Sequence, residues 1–73
     1  MNNTSNNVLR IEFEQEEDGR WIAEILELPG VIAYGATQQE AQDNVEALAL
    51  RALADRLEHG ETIPARGELF VAA

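Results

Sequence analysis

The sequence predicts an α+β domain, because two kinds of hydrophobic periodicity follow each other along its 73 residues. Residues 8–15 and 20–26 alternate apolar and polar side chains, which is typical of half-buried strands. Residues 38–59 instead repeat their apolar side chains every three or four positions, as an amphipathic helix does. We expect one domain over residues 8–73 with the element order β-β-β-α-β. A three-stranded antiparallel meander would be joined by a fourth strand, with one long helix packed on the sheet.

The first two predicted strands are expected to form a hairpin. Asp18 and Gly19 lie between them, and an Asp-Gly pair is a strong hairpin signal because these residues tolerate positive φ. In each strand, successive side chains point to opposite faces of the sheet. Leu9, Ile11 and Phe13 share one face of the first strand, with Arg10, Glu12 and Glu14 on the other, and in the second strand Trp21, Ala23 and Ile25 lie opposite Ile22, Glu24 and Leu26.

A turn, a short strand and a helix start follow in quick succession. Pro29 and Gly30 predict a tight turn that reverses the chain into a third strand at residues 31–34. Thr37 and Glu40 have the spacing of a capping box. The threonine hydroxyl is expected to accept from the Glu40 N–H, and the Glu40 carboxylate to reach back to the Thr37 N–H.

The helix predicted at 38–59 has one clear apolar stripe and a defined end. Gly60 is well placed as the residue that follows the helix in a left-handed conformation. A final strand is predicted at residues 68–72, and the long helix should carry it back beside the first strand and parallel to it. The stripe consists of Ala41, Val45, Leu48, Ala49, Ala52 and Leu53.

A second apolar set widens the helix face. Leu50, Ala54 and Leu57 lie roughly 100° or more around the helix from the centre of the stripe. They indicate either a broad core face or a contact with another subunit or partner. A chain of this size buries only about 60% of its unfolded surface, and the sequence has no cysteine for a disulfide. We therefore expect a homo-oligomer.

The charge balance excludes several classes of partner. The sequence contains fourteen Asp and Glu residues but only five Arg and no Lys, which gives a formal net charge of −9. Such a field repels nucleic-acid phosphates and anionic lipid headgroups and attracts basic surfaces. Residues 1–7 are polar and lack the apolar core of a signal peptide, so we expect a disordered tail there. No apolar run approaches the ~20 residues of a membrane span, and a soluble cytoplasmic protein is predicted.

Little in the sequence suits catalysis. There is no cysteine, and the one serine, Ser5, lies in the predicted tail, so no positioned nucleophile is expected. His59 fits the end of the helix, where positive charge suits the helix dipole. Glu12, Glu14 and Glu24 offer carboxylates for a metal-dependent nuclease, but the outward face of a strand is also where solvated carboxylates belong. We predict no enzyme and no cofactor or metal.

The element order and several local motifs together resemble the HicB-like antitoxins of bacterial and archaeal toxin–antitoxin pairs. The resemblance covers residues 8–64, and it depends on the order and spacing of the motifs rather than on any one of them. The residues that carry it are Asp18-Gly19, Trp21, the stretch 27–30, Gly35, Thr37, Glu40-Ala41, the helix stretch 44–47, Gly60 and Pro64.

This resemblance implies a truncated ribonuclease-H-like fold that is not itself a nuclease. In the family, the domain binds and masks a small basic HicA-like toxin, an mRNA-cleaving ribonuclease with its own catalytic histidine. Many relatives carry a C-terminal DNA-binding segment. The sequence has none after its last predicted strand, so direct DNA binding is not expected. The alternatives are a stand-alone HicB-like protein-binding module without a toxin and a metal-dependent RNase-H-like nuclease.

Two segments are the candidate partner contacts. The acidic hairpin Glu16, Glu17 and Asp18 would attract a basic surface, although an acidic hairpin tip is also ordinarily a solvated turn. The loop 28–30 would present Leu28 at its tip beside Pro29 and Gly30, although the same residues suffice as a turn between strands. Trp21 is open to two interpretations as well, as a core residue or as an interface anchor.

Overall fold

Four strands and one long helix make up the part of the chain that the computed structural model describes, residues 8–61 and 70–73. The predicted α+β class and the element order are confirmed. The polar tail predicted at residues 1–7, Pro64 and the first two residues of the predicted final strand lie outside the described residues. The elements are β1 (Leu9–Gln15), β2 (Trp21–Ile25), β3 (Ile32–Gly35), α1 (Gln38–Glu58) and β4 (Phe70–Ala72).

The strands form one mixed sheet in the order β3-β2-β1-β4. Strands β1, β2 and β3 are an antiparallel meander, and β4 pairs with β1 in parallel. The predicted direction of the final strand is therefore confirmed. Helix α1 follows β3 in the chain and packs mainly on β2 and β3.

The core lies between one face of the sheet and one stripe of α1. Alternate residues of β1, from Leu9 to Phe13, and of β2, from Trp21 to Ile25, point to this side, where Phe13 and Trp21 are partly buried. Four positions of the predicted helix stripe are buried, while Leu48 and Ala52 are half-buried. The buried core residues are Leu9, Ile11, Ala23, Ile25, Leu28, Ala41, Val45, Ala49 and Leu53.

Both predicted turns between strands are present, and backbone hydrogen bonds close each of them. The Gly19 N–H donates to the Glu16 carbonyl at 2.9 Å, and Gly19 has φ +93°. Asp18 does not share this positive φ, so the hairpin differs from the two-residue type I′ turn that favours Asp-Gly. In the second turn, the Val31 N–H donates to the Leu28 carbonyl at 3.0 Å. Gly30 has φ +89° there, as a type II Pro-Gly turn requires.

The start of α1 confirms half of the predicted capping box and corrects the other half. The Glu40 N–H donates to the Thr37 hydroxyl at 3.0 Å, as predicted. The Glu40 carboxylate, however, accepts from the Ala36 N–H at 2.5 Å and not from the Thr37 N–H. The side chain therefore fixes the residue before the cap and ties the end of β3 to the helix. At the other end, His59 is the C-cap and Gly60 follows with φ +82°.

Gly35 allows α1 to start close against β3. A Cβ at this position would lie 2.4 Å from the Ala41 nitrogen and 2.8 Å from the Glu40 carbonyl carbon. Both neighbours are helix backbone and cannot rotate away as a side chain can. The glycine is thus required by packing rather than by an unusual φ.

Candidate partner-binding surface

The sheet face opposite α1 is not covered by any part of the chain that the structure describes. Its side chains come from the strand positions that alternate with the core positions. We call this surface the open sheet face. It consists of Arg10, Glu12 and Glu14 of β1, Ile22 and Glu24 of β2, Ile32 and Tyr34 of β3, and Val71 of β4.

The register divides the open sheet face into an apolar half and an acidic half. Ile22 lies opposite Tyr34, and Ile32 lies beside them on β3. Ile32 and Tyr34 are 40% and 47% exposed, which is high for large apolar side chains. Toward β1, Glu12 lies directly opposite Glu24. The two halves meet at β2, so one ligand of modest size can touch both.

Within the described ranges, no cation is paired with the carboxylates of the acidic half. Among residues 8–61 and 70–73, no ion pair involves Glu12, Glu14 or Glu24. Arg10 lies on the same face, but its Nε donates to Glu27 Oε2 at 2.5 Å. Like charges directly opposite each other on paired strands are destabilising. The open sheet face therefore carries repulsion that a cation from outside would relieve.

Glu27 completes the β1–β2 ladder with its side chain. The Leu26 N–H donates to the Arg10 carbonyl at 3.0 Å, whereas the Arg10 N–H donates to Glu27 Oε1 at 2.7 Å. The carboxylate thus takes the place of a strand carbonyl where β2 has already ended. Partial burial opposes ionisation of Glu27, but the hydrogen bonds from the Arg10 backbone and guanidinium outweigh it and lower the pKa of the carboxyl.

The acidic hairpin is more nearly balanced than its sequence indicates. The Arg20 Nε lies 3.0 Å from Asp18 Oδ2, and its Nη2 lies 3.5 Å from Glu16 Oε1. The Arg20 backbone N–H also donates to Asp18, and this hydrogen bond, with the nearby guanidinium, lowers the pKa of that carboxyl. Of the three predicted hairpin contacts, only Glu17 has no ion pair within the described ranges. Their role toward a partner stays a prediction.

Arg20 also connects the hairpin with the open sheet face. Its guanidinium carbon lies 5.0 Å from the centroid of the Tyr34 ring, within the range of a cation–π contact. The apolar half of the open sheet face therefore borders the Arg20 guanidinium at Tyr34. The acidic half of the face lies toward β1.

The predicted contact at Leu28 requires a correction. Leu28 is 3% exposed and belongs to the core, so its side chain is not presented at the loop tip. The Leu28 N–H donates to the Ile25 carbonyl at 3.2 Å, and this turn directs the side chain inward. Pro29 and Gly30 are exposed beside it. Only these two of the three loop residues remain available to a partner.

The second apolar set on α1 lies outside the core. Leu50 and Leu57 are 50% and 48% exposed, and Ala54 between them is exposed as well. The broad-core interpretation is therefore wrong for these three residues. Their role in a subunit contact stays a prediction.

No metal centre or membrane span is found in the described ranges. Among these residues, no three His, Cys, Asp or Glu side chains are grouped so that they could hold a metal ion, Glu12, Glu14 and Glu24 included. His59 lies at the helix end, with Nδ1 2.8 Å from the Asp55 carbonyl oxygen. No helix in this part of the chain is both long and apolar enough to cross a bilayer.

The geometry defines a small α+β protein with a mixed four-stranded sheet, one covered face and one open face that is partly apolar and partly acidic. No family model matches the sequence, and no curated protein or solved structure matches it either. The resemblance to HicB-like antitoxins therefore stays a prediction. The open sheet face was missed as a binding surface, although the alternation that places Ile22 on the same face as Glu24 was its signal.

Proposed function

We propose that this chain is an antitoxin-like binding protein that neutralises a small basic mRNA-cleaving toxin in the cytoplasm by masking its surface. The observation that supports the proposal best is a set of carboxylates on the open sheet face that form no ion pair with the residues that the structure describes, Glu12, Glu14 and Glu24. The net charge of −9 acts in the same direction. The truncated RNase-H-like fold implied by the resemblance would serve here as a scaffold.

Masking requires no chemistry from this chain. A ribonuclease holds its substrate through cationic side chains that contact phosphates. Carboxylates on a rigid sheet can bind these cationic side chains in place of the RNA phosphates and so exclude the RNA. Complementary charge also speeds the encounter of the two proteins and suppresses binding to acidic partners. A toxin-free role as a general protein-binding module uses the same surface, and the experiment below separates the two.

The test is co-expression with a small basic protein encoded beside this gene. The basic protein alone is expected to arrest growth, and co-expression is expected to restore growth and to yield a complex that co-purifies. Growth arrest without rescue by well-folded, well-expressed protein would contradict the proposal. A stable complex with a basic protein that causes no arrest would instead favour the toxin-free module.

The matched variants compare two sets of carboxylates. Glu12→Gln with Glu24→Gln changes the open sheet face, and Asp55→Asn with Glu58→Gln removes the same charge from the exposed end of α1. Both double variants change the net charge by two. We expect rescue to weaken only for the first, because the proposal places the relevant carboxylates on the sheet.

A further inference from the structure

We infer that the open sheet face is the docking surface for a cationic amphipathic segment of a protein partner. Apolar side chains of that segment would seat on Ile22, Ile32 and Tyr34, and its Arg or Lys side chains would reach Glu12 and Glu24. The inference rests on the proposed function in one respect, that the partner is a basic protein. It goes further by adding the apolar half of the open sheet face to the contact and by specifying an amphipathic segment as the occupant.

The apolar half provides the area that such a segment needs. Ile22 and Tyr34 are directly opposite each other on β2 and β3, and Ile32 is two residues from Tyr34 on the same side of the strand. Together they form a continuous apolar strip at one edge of the sheet. Exposed apolar patches rimmed by charge mark interaction sites, and Tyr is enriched among the residues that dominate binding energy.

The acidic half determines the charge of the occupant. Glu12 and Glu24 are paired across the two central strands, and the nearest cation on their face, Arg10, is held by Glu27. A cation placed between the two carboxylates adds two attractions that outweigh their mutual repulsion. A guanidinium is well suited to this position because its planar fork of donors matches carboxylates.

The hairpin is the weaker candidate by the same reasoning. Arg20 already forms ion pairs with Asp18 and Glu16, so a cation of the partner would have to compete with the Arg20 guanidinium for these carboxylates. The hairpin also offers little apolar surface, since its residues 16–20 are all polar, charged or glycine.

Charge complementarity excludes two other occupants of the open sheet face. A second copy of the chain in face-to-face contact would bring the Glu12 and Glu24 carboxylates of each copy toward those of the other. A nucleic acid would bring phosphates to the same carboxylates. Both arrangements add like charges to a face that already contains a like-charge pair.

The test uses a synthetic peptide as the probe. The peptide has about 18 residues, with Leu on one helical face and Arg on the other, and its control has Glu in place of Arg. Backbone amide shifts of the isotope-labelled protein are followed during titration. We expect saturable shifts at β1, β2 and β3 residues of the open sheet face with the Arg peptide and none with the Glu peptide. Shifts confined to the hairpin, or spread evenly over the acidic surface, would overturn the inference.

Variants separate docking from folding. Glu12→Gln with Glu24→Gln is expected to weaken peptide binding about fivefold or more and to raise the melting temperature, because it removes a like-charge pair. Ile32→Thr keeps a β-branched residue on the edge strand and should also weaken binding. Asp55→Asn with Glu58→Gln should leave binding within about twofold of the wild type. Equal weakening by both double variants would show attraction by net charge alone and would overturn the inference.

The inference and the proposed function fail in different ways. If the double variant Glu12→Gln with Glu24→Gln rescues growth as well as the wild type does, that result retains the proposed function and rejects the docking surface. Absence of wild-type rescue rejects the function, and the peptide titration then decides the docking surface by itself.

Discussion

At the scale of single residues, the structure depends on two side-chain positions whose roles come from their neighbours. Gly35 is needed because helix backbone lies where its Cβ would be. Glu27 is needed because the Arg10 N–H has lost its strand partner. Neither role follows from the residue type alone. The Gly35 contact depends on how sharply the chain turns from β3 into α1, and the Glu27 contact joins residues 17 positions apart.

Replacing Gly35 with alanine should destabilise the fold by steric overlap. A Cβ 2.4 Å from the Ala41 nitrogen forces α1 away from β3, and overpacking of this kind costs about 2–3 kcal/mol. Gly30→Ala is the matched control, because a Cβ there meets nothing within 4 Å and only its φ of +89° is unfavourable. Its cost should be about 1–2 kcal/mol. Urea unfolding of both variants measures the difference, and a Gly35→Ala variant as stable as the wild type would contradict the close approach.

Glu27→Gln should make the fold less stable at neutral pH and change its pH dependence. The pKa of Glu27 is lowered in the folded state from its ordinary value of 4.5. Its stabilising contribution is therefore complete above that value and is lost as the pH falls through the folded-state pKa. We expect the wild type to exceed the variant in free energy of unfolding by about 1 kcal/mol at neutral pH.

The difference between the two proteins should shrink as the pH is lowered below 4.5, the ordinary value for this carboxyl. Comparing variant with wild type cancels the effect of the other carboxylates, which titrate in both. Glu17→Gln, at an exposed position without an ion pair in the described ranges, is the control and should change stability little at any pH. A difference that stays constant between pH 7 and acid would contradict the role assigned to Glu27.

At the scale of the elements, hydrophobic periodicity predicted the strands and the helix, but it did not predict the contacts that their side chains make. The alternation in residues 8–15 predicted which side chains of β1 reach the core, because a strand sends successive residues to opposite faces. In residues 20–26 both faces carry apolar side chains, so the alternation predicted the strand but not which of its faces packs on α1. The helix stripe followed from its three- and four-residue spacing. The inward Leu28, the Glu40 bond to Ala36 and the pairing of Arg20 with the hairpin carboxylates were not predicted. These contacts depend on how turns orient the chain, which spacing along the sequence does not specify.

The exposed apolar residues of α1 should mediate self-association. Leu50 and Leu57 are about half exposed and lie two turns apart on the helix. We expect sedimentation equilibrium to show a homo-oligomer for the wild type and a smaller species for Leu50→Glu with Leu57→Glu. Glu58→Gln, at an exposed polar position on the same helix, serves as the control and should leave the assembly unchanged. An unchanged mass for the double variant, or a monomeric wild type, would contradict this assignment.

At the scale of the whole molecule, the excess negative charge is not spread uniformly. Arg10 and Arg20 each neutralise carboxylates at the turns, and the acidic half of the open sheet face is left without ion pairs in the described ranges. The total charge was evident from composition, but its placement was not, because composition does not specify which carboxylates Arg10 and Arg20 reach once the strands are paired. The placement gives the proposed basic partner a specific face to recognise.

If a small basic protein is encoded beside this gene, its affinity for this chain, measured against salt concentration, tests whether exposed carboxylates recognise the partner. Recognition through exposed carboxylates predicts a complex whose dissociation constant rises about tenfold or more between ~50 and ~300 mM salt. Glu12→Gln with Glu24→Gln should reduce that salt dependence, and Asp55→Asn with Glu58→Gln should leave it nearly unchanged. The absence of a complex at low salt, or an affinity that does not change with salt, would contradict the account.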